Sequence, residues 1–172
     1  MINNIAKNIW QLEFTRFGSC VYVLNLDDKT ILIDTSTKQN REELLKDLKK
    51  IGLKKEQVKI IILTHNHYDH VENNSIFPNA KIYRSQKEFD KSAQDIKTLK
   101  INSLEIIETP GHSKEGICIY YPKEKILFSG DTIFHNGIIG RIDLPGSSLK
   151  EMKDSLNKLR KIDYKILCPG HI

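Results

Sequence analysis

Residues 58–63 read VKIIIL, an apolar and β-branched run of the kind that forms a buried strand, and the chain passes from it directly into THNHYDHVENN, residues 64–74. Three of the six histidines in the chain and one aspartate fall between His65 and His70. Imidazole and carboxylate together are the donor set of a zinc- or iron-like cation. Clustering them where a buried strand ends is costly unless something binds there. A fold for this chain therefore has to bring that strand end to an edge where further ligands can meet it.

Metal-competent residues recur where later strand-like segments end. ETPGHS puts His112 after SLEIIET, LFSGDT puts Asp131 after KILF, and ILCPGH puts His171 after the last apolar segment. A glycine precedes each of the three, which permits a tight turn and close approach of backbone to an ion. If strand ends gather along one edge, His65, His67, Asp69, His70, His112, Asp131 and His171 converge, enough ligands for two ions. A single histidine after a strand is usually a surface or hydrogen-bonded residue, but no structural purpose accounts for His-x-His-x-Asp-His. The sixth histidine, His135 in IFHNGIIG, reads as a pocket-wall or surface residue.

Around these motifs the chain alternates between strand and helix signals. NIWQLEF, CVYVLNL and TILIDTS read as strands, with a turn at Asp27–Lys29 between the last two. A helix is expected from Asn40, with Glu43 at capping-box spacing, an apolar face of Leu44, Leu45, Leu48 and Ile51, and Gly52 at its end. AKIYRS, SLEIIETP, GICIYY and KILFSGD are further strands, and Ser85 with Glu88 suggests a short helix. A last helix starts at Ser148 with Glu151 in capping position and carries Leu149, Met152, Leu156 and Leu159, and YKILCPGHI closes the sequence as a strand. Strands in two groups, each followed by amphipathic helices, predict two packed sheets with helices outside.

At 172 residues, 39% hydrophobic and 28% charged, this is expected to be one domain over 1–172. No stretch reaches the roughly 18 apolar residues of a membrane span. The start, MINNIAKNIWQLEF, lacks the pattern of a secretory signal. Cys20, Cys118 and Cys168 are odd in number and widely spaced, which fits buried thiols in a cytoplasmic protein better than a disulfide framework. The net charge of +5 resides in lysines on solvated helix faces, and no Arg-rich block interleaved with aromatics points to nucleic acid.

The set THNHYDH, TPGHS, SGDTIF with GRIDLPG, and PGH, supported by ILIDTS, resembles the metallo-β-lactamase-fold hydrolases from about residue 10 to 171. The resemblance implies a four-layer αββα sandwich of mixed α/β class. It implies that His65, His67 and His112 hold one ion, that Asp69, His70 and His171 hold a second, and that Asp131 bridges them. Asp34 matches an aspartate that supports such sites, although a turn residue ending a strand would look the same. GDTIFHNGIIGRIDLPG is most similar to the glyoxalase II-like branch. The function implied is hydrolysis of a thioester or ester by a hydroxide shared between two divalent ions, zinc or else iron or manganese, with Asp69 orienting the hydroxide and accepting its proton. Arg141 and Asp143 are expected to pair and brace the site or, for Arg141, to bind a substrate anion. Tyr68 either lines the pocket or packs outward. Glutathione hydrolases of this branch carry a further helical domain beyond the motif that ends here at Ile172, so the expectation is an open pocket with weak discrimination for glutathione. The alternatives within the fold are a mononuclear iron persulfide dioxygenase and a nuclease.

Overall fold

The computed structural model describes residues 1–85 and 93–172. It begins with a hairpin of β1 (Ile2–Ala6) and β2 (Ile9–Leu12), the first strand of which the sequence did not announce. INNIA carries two asparagines and is only half-buried at the sheet margin, so its strand character comes from pairing with β2 and not from its own pattern. β3 (Val21–Leu26) and β4 (Lys29–Ile33) follow as a second hairpin. Its two-residue loop puts Asp27 and Asp28 at φ 50° and 58°, the doubly left-handed turn that matches strand twist and that aspartate tolerates.

Helix α1 (Arg41–Lys50) starts after Asn40 as expected, but without a capping box. Asn40 is fully buried and its amide donates to the carbonyls of Arg16 and Phe17 and to Ser36 Oγ, while Glu43 accepts from the backbone and hydroxyl of Thr15. Both residues thus tether the 15–17 loop to the helix. β5 (Val58–Ile62), β6 (Lys81–Arg84) and β7 (Gln94–Asp95) complete the larger sheet, with the short helix α2 (Tyr68–Val71) between β5 and β6. The short helix expected from Ser85 and Glu88 lies outside the described residues. The smaller sheet contains β8 (Glu105–Glu108), β9 (Ile117–Tyr121), β10 (Ile126–Gly130) and β11 (Ile166–Pro169) in the order β11-β10-β9-β8. Between its last two strands runs α3 (Leu149–Leu159), capped by Ser148 Oγ accepting from the Glu151 amide at 3.3 Å. Met152 and Leu159 are buried along it, whereas Leu149 in its first turn is 46% exposed, so the apolar stripe starts one turn later than expected.

The two sheets face each other across one core. Ile9, Tyr22, Leu24, Ile31, Ile33 and Ile62 of the larger meet Ile117, Ile119, Tyr121, Ile126 and Phe128 of the smaller. Tyr22 and Phe128 cross edge to face with ring centres 5.1 Å apart. On the outer face of the larger sheet Val21, Val23, Leu32 and Ile61 cover Leu44 and Leu48 of α1. On the outer face of the smaller, Cys118, Tyr120 and Leu127 cover Leu159 of α3. This is the expected four-layer αββα sandwich of mixed α/β class. Truncating a fully buried ring such as Phe128 is expected to cost about 3–5 kcal/mol. Among the described residues no helix is long and apolar enough to cross a membrane.

Strand direction positions the site. β4 and β5 run parallel, as do β10 and β11, and β8 reaches the direction of β10 through two antiparallel steps. Five strands therefore deliver their C-terminal ends to a common end of their own sheet. Backbone bonds close that edge: Ile117 N to Thr64 O at 2.9 Å, Cys20 N to Gly170 O at 2.7 Å, and Gly170 N to Gly130 O at 2.8 Å.

Candidate metal centre

All seven sequence-predicted ligands meet at this edge. The loop leaving β5 carries His65 and His67, and α2 carries Asp69 and His70. α2 is pinned by Ser19 N donating to Asp69 O at 3.0 Å and Thr35 N to His70 O at 2.7 Å. The turns after β8, β10 and β11 supply His112, Asp131 and His171.

His65 Nε2 and His112 Nε2 lie 3.0 and 2.9 Å from the same atom, His67 Nδ1. The contacts on the far side of each ring assign the tautomers. Thr64 gives its hydroxyl proton to Asp34 Oδ2 at 2.8 Å, so its oxygen accepts from His65 Nδ1–H at 3.1 Å. His112 Nδ1–H donates to the Arg141 carbonyl at 2.8 Å. Both Nε2 atoms are thus lone-pair acceptors aimed at His67 Nδ1, which can donate to only one of them. An arrangement that faces lone pair against lone pair fits a cation and is unfavourable without one.

The second group repeats the argument. His70 Nδ1–H donates to Asp34 Oδ2 at 2.8 Å, leaving Nε2 facing Asp131 Oδ1 at 3.4 Å and Asp69 Oδ2 at 3.9 Å. His70 Nε2 and Asp131 Oδ1 are buried and, among the described residues, find no hydrogen-bond partner. His171 Nε2 lies 3.2 Å from Asp69 Oδ2 and 3.5 Å from Asp131 Oδ2, the oxygen that also lies 3.5 Å from His112 Nε2. Asp131 therefore reaches both groups. Three sets, His65/His67/His112, His65/His70/Asp131 and Asp69/His70/His171, each hold their donor atoms within 4.8 Å of one another.

The charges respond accordingly. Burial, then neighbouring imidazoles, hold His65 well below the usual histidine range and lower His67. Burial also opposes charge on His70, but the carboxylates of Asp34 and Asp131 outweigh it and raise the imidazole to about 10. His171 is raised to about 9 against its burial by Asp131 and Asp69. Burial would lift both carboxylic acids, yet His171 and His70 hold Asp69 below and Asp131 far below the usual carboxylate range. The imidazoles of His70 and His171 and the carboxylates of Asp69 and Asp131 thus balance one another's charge.

Asp34 lies beneath the cluster. Besides His70 and the Thr64 hydroxyl it accepts from Thr64 N at 2.8 Å, and it holds a left-handed φ of 58°, a conformation kept only where the surroundings fix it. Thr64, Glu115 and Gly140 escaped the sequence reading. Glu115, buried to 8% exposure, accepts from Asn66 N at 3.2 Å and steadies the histidine loop. Gly140 passes so close to the Asp131 carbonyl that a Cβ there would stand 1.9 Å from it. Arg141 and Asp143 pair as expected, at 2.8 and 2.9 Å, but in solvent. The site is braced by the main-chain carbonyl of Arg141 and gains little from the exposed ion pair. Tyr68, 60% exposed, lines a cleft of about 750 Å³ that opens over the cluster. His135 is exposed and apart from it. Cys20, Cys118 and Cys168 are buried, with thiols pushed up to about 12, 11 and 12 mainly by burial, and do not serve as nucleophiles.

An αββα sandwich with histidines and aspartates converging on one edge is the architecture of a metallo-hydrolase. Residues 14–88 and 76–171 match the family model of the metallo-beta-lactamase superfamily, and the chain belongs to that superfamily. A probable metallo-hydrolase of Methanocaldococcus jannaschii is 37% identical over 145 residues, which is 82% of this chain and 70% of that protein. A hydroxyacylglutathione hydrolase of Francisella tularensis subsp. novicida is 33% identical over 127 residues, covering 67% of this chain and 50% of its own, so the chain spans about half the length of that relative. Among solved structures, TTHA1623 in a di-iron-bound form superposes with a TM-score of 0.80 at 22% identity, covering 94% of this chain and 91% of that one. The BLEG-1 B3 metallo-beta-lactamase gives a TM-score of 0.78 at 28% identity, over 94% and 90%.

Proposed function

We propose that residues 1–172 form one metallo-β-lactamase-fold domain that hydrolyses an acyl thioester or ester with two divalent ions, zinc first among them and iron or manganese as alternatives. The observation that carries this reading is the pair of opposed lone-pair sets, one of three imidazoles and one of imidazole with carboxylate, joined by the two oxygens of Asp131. His65, His67 and His112 would hold one ion, Asp69, His70 and His171 the other, and Asp131 both. Ions bound there supply a water acidified to near neutral pH and a Lewis acid for an acyl oxygen. The chain's own residues orient and insulate the reaction. Asp69, ionised across the neutral range, accepts a hydrogen bond from the attacking water and fixes its direction. Thr64 and Asp34 hold His65 and His70 in the tautomers that keep Nε2 free. Hydrolysis forms a C–O bond to the water oxygen and breaks the acyl C–S or C–O bond, with one water proton leaving on the departing sulfur or oxygen. Similarity to hydroxyacylglutathione hydrolases favours the thioester.

The test is a panel: S-lactoylglutathione, a short neutral thioester, a lactone, a phosphodiester and a persulfide, with zinc-, iron- and manganese-loaded enzyme. Thioester turnover by at least one metal form is expected. Oxygen uptake on the persulfide with no hydrolysis would move the assignment to a dioxygenase, and phosphodiester cleavage alone to a nuclease.

Two further results follow from the same site. Asp34→Asn places an amide donor against donors from His70 or Thr64, and metal affinity is expected to fall roughly 10- to 100-fold, measured by competition with a chromophoric chelator. Metal should also compete with protons unevenly. His70 and His171, raised to about 10 and about 9, must shed protons to offer Nε2 to an ion, whereas His65 and His67, pushed down by burial, need not at neutral pH. Occupancy is expected to approach two ions per chain, and because two protons are displaced, affinity for the second rises about a hundredfold per pH unit between about pH 6.5 and 8.5. The metal-free protein moves the opposite way. His70 is raised above its unfolded value, so its contribution to stability is complete below the ordinary histidine range and is lost as pH climbs through about 10. Saturation at one ion at pH 8.5, read by elemental analysis, would remove the two-ion reading.

A further inference from the structure

Resting on the thioester reading above, we propose that the cleft takes an apolar acyl chain and leaves the thiol carrier outside. Its walls are Phe17, Tyr68, Phe134, Ile139, Leu144 and Pro145, set around the metal-site residues. Phe17 is 65% exposed and Tyr68 60%, so two aromatic rings stand in water at the mouth of this cleft. Phe17 stacks on the His171 ring at 5.6 Å between centres and 14° between planes, and Phe134 lies 6.3 Å from the same ring. Apolar rings therefore reach the reacting edge at His171, where the carbonyl of an acyl chain would sit.

Charge decides which half of the substrate enters. Among the described residues lining the cleft Arg141 is the one arginine or lysine, its guanidinium bound through two nitrogens by Asp143 at 2.9 and 2.8 Å, and the His171 ring faces the carboxylates of Asp69 and Asp131. A glutathione moiety brings carboxylates that need unpaired cations, and these walls offer it none. An alkyl chain needs only apolar area removed from water, which the six wall residues supply. The substrate class assigned is thus a medium-chain acyl thioester whose carrier projects toward solvent. Water's oxygen bonds the acyl carbon, the C–S bond breaks, and the sulfur departs with one proton, giving a fatty acid and a thiol.

The experiment varies acyl length on one small neutral thiol, from acetyl to hexanoyl, and then changes the thiol to glutathione at fixed acyl length. The expected kcat/KM rises roughly 30- to 100-fold from acetyl to hexanoyl, as about fourfold per fully buried methylene allows, with no gain on passing to glutathione. Leu144→Ala, a half-buried loop position, should flatten the chain-length slope through KM, and Leu144→Lys should shift preference toward the glutathione thioester. A flat slope, or a preference above tenfold for glutathione in the unmodified enzyme, overturns the inference while leaving the thioester reading standing. Should no thioester be turned over, that reading fails, and calorimetry on the purified protein still decides the cleft. S-hexyl and S-methyl thioethers of the neutral thiol are compared: hexyl binding about 30-fold tighter supports an apolar chain site, and equal binding overturns it.

Discussion

Replacing Asp131 with alanine is expected to abolish turnover, by roughly three decades or about 4 kcal/mol of barrier, while the domain still folds. Its Oδ1 lies 3.4 Å from His70 Nε2, and its Oδ2 lies 3.5 Å from both His112 and His171 Nε2. Among the described residues it is the carboxylate that touches both donor groups. Its removal leaves two sets of imidazoles with less negative charge to bind cations and nothing to hold their ions in common. The carboxylate lies far below its usual range in the metal-free protein. Its stabilising pairing with His70 and His171 is therefore complete above the ordinary carboxylate range, and the alanine variant should lose some stability at pH 7. That loss is local: the intersheet core of Tyr22, Phe128 and their aliphatic neighbours includes no ligand. The measurements are kcat at saturating metal, and urea unfolding followed by circular dichroism. Non-cooperative unfolding of the variant would mean that the ion holds the fold together, as in a zinc finger, and would overturn the separation of core from site.

What the sequence revealed and what it hid divide along a physical line. His65, His67, Asp69 and His70 were legible because their side-chain chemistry is unusual wherever it is clustered, and His112, Asp131 and His171 because each follows an apolar strand at a similar offset. Strand direction then does the rest, since β4, β5, β8, β10 and β11 need only run the right way to bring them together. Asp34 was ambiguous because an aspartate after ILI serves equally as a turn residue; only the folded chain brings it three hydrogen bonds from segments 30 and 36 residues away. Glu115 and Gly140 act through contacts between separate segments, and Thr64 through its bonds to Asp34 thirty residues away as well as to the adjacent His65, so no local pattern marks their roles. The same limit explains the misread cap: Asn40 and Glu43 have helix-start spacing, but the 15–17 loop lies within reach and takes their hydrogen bonds. The strand Ile2–Ala6 was missed because its asparagines hide an edge strand stabilised by its neighbour.

Gly170→Ala is expected to separate site from fold more sharply than any ligand deletion. A Cβ at Gly170 would stand 2.2 Å from Asp131 Oδ1 and 2.9 Å from His70 Cε1, with backbone at Gly130 C no closer than 3.2 Å. The methyl therefore lands on the two groups that share the unpaired buried atoms, His70 Nε2 and Asp131 Oδ1, and one of them must move. His70 cannot easily do so, being fully buried and held by Asp34 at 2.8 Å. The Asp131 carboxylate is left to rotate, which turns Oδ1 away from His70 and breaks its reach across both groups. The Gly170 backbone bonds, its amide to Gly130 O and its carbonyl from Cys20 N, do not depend on the side chain and should persist. The expected outcome is a fall in metal content from near two ions to near one and a loss of activity of about 10²-fold or more, with urea stability within about 1–2 kcal/mol of the parent. Metal content and unfolding are measured on the same preparation. If the variant retained two ions and full activity, Asp131 would be free to move without consequence, and its role as the shared ligand would fall. If instead it lost several kcal/mol of stability with its metal content intact, the crowding would be borne by the backbone rather than by the site.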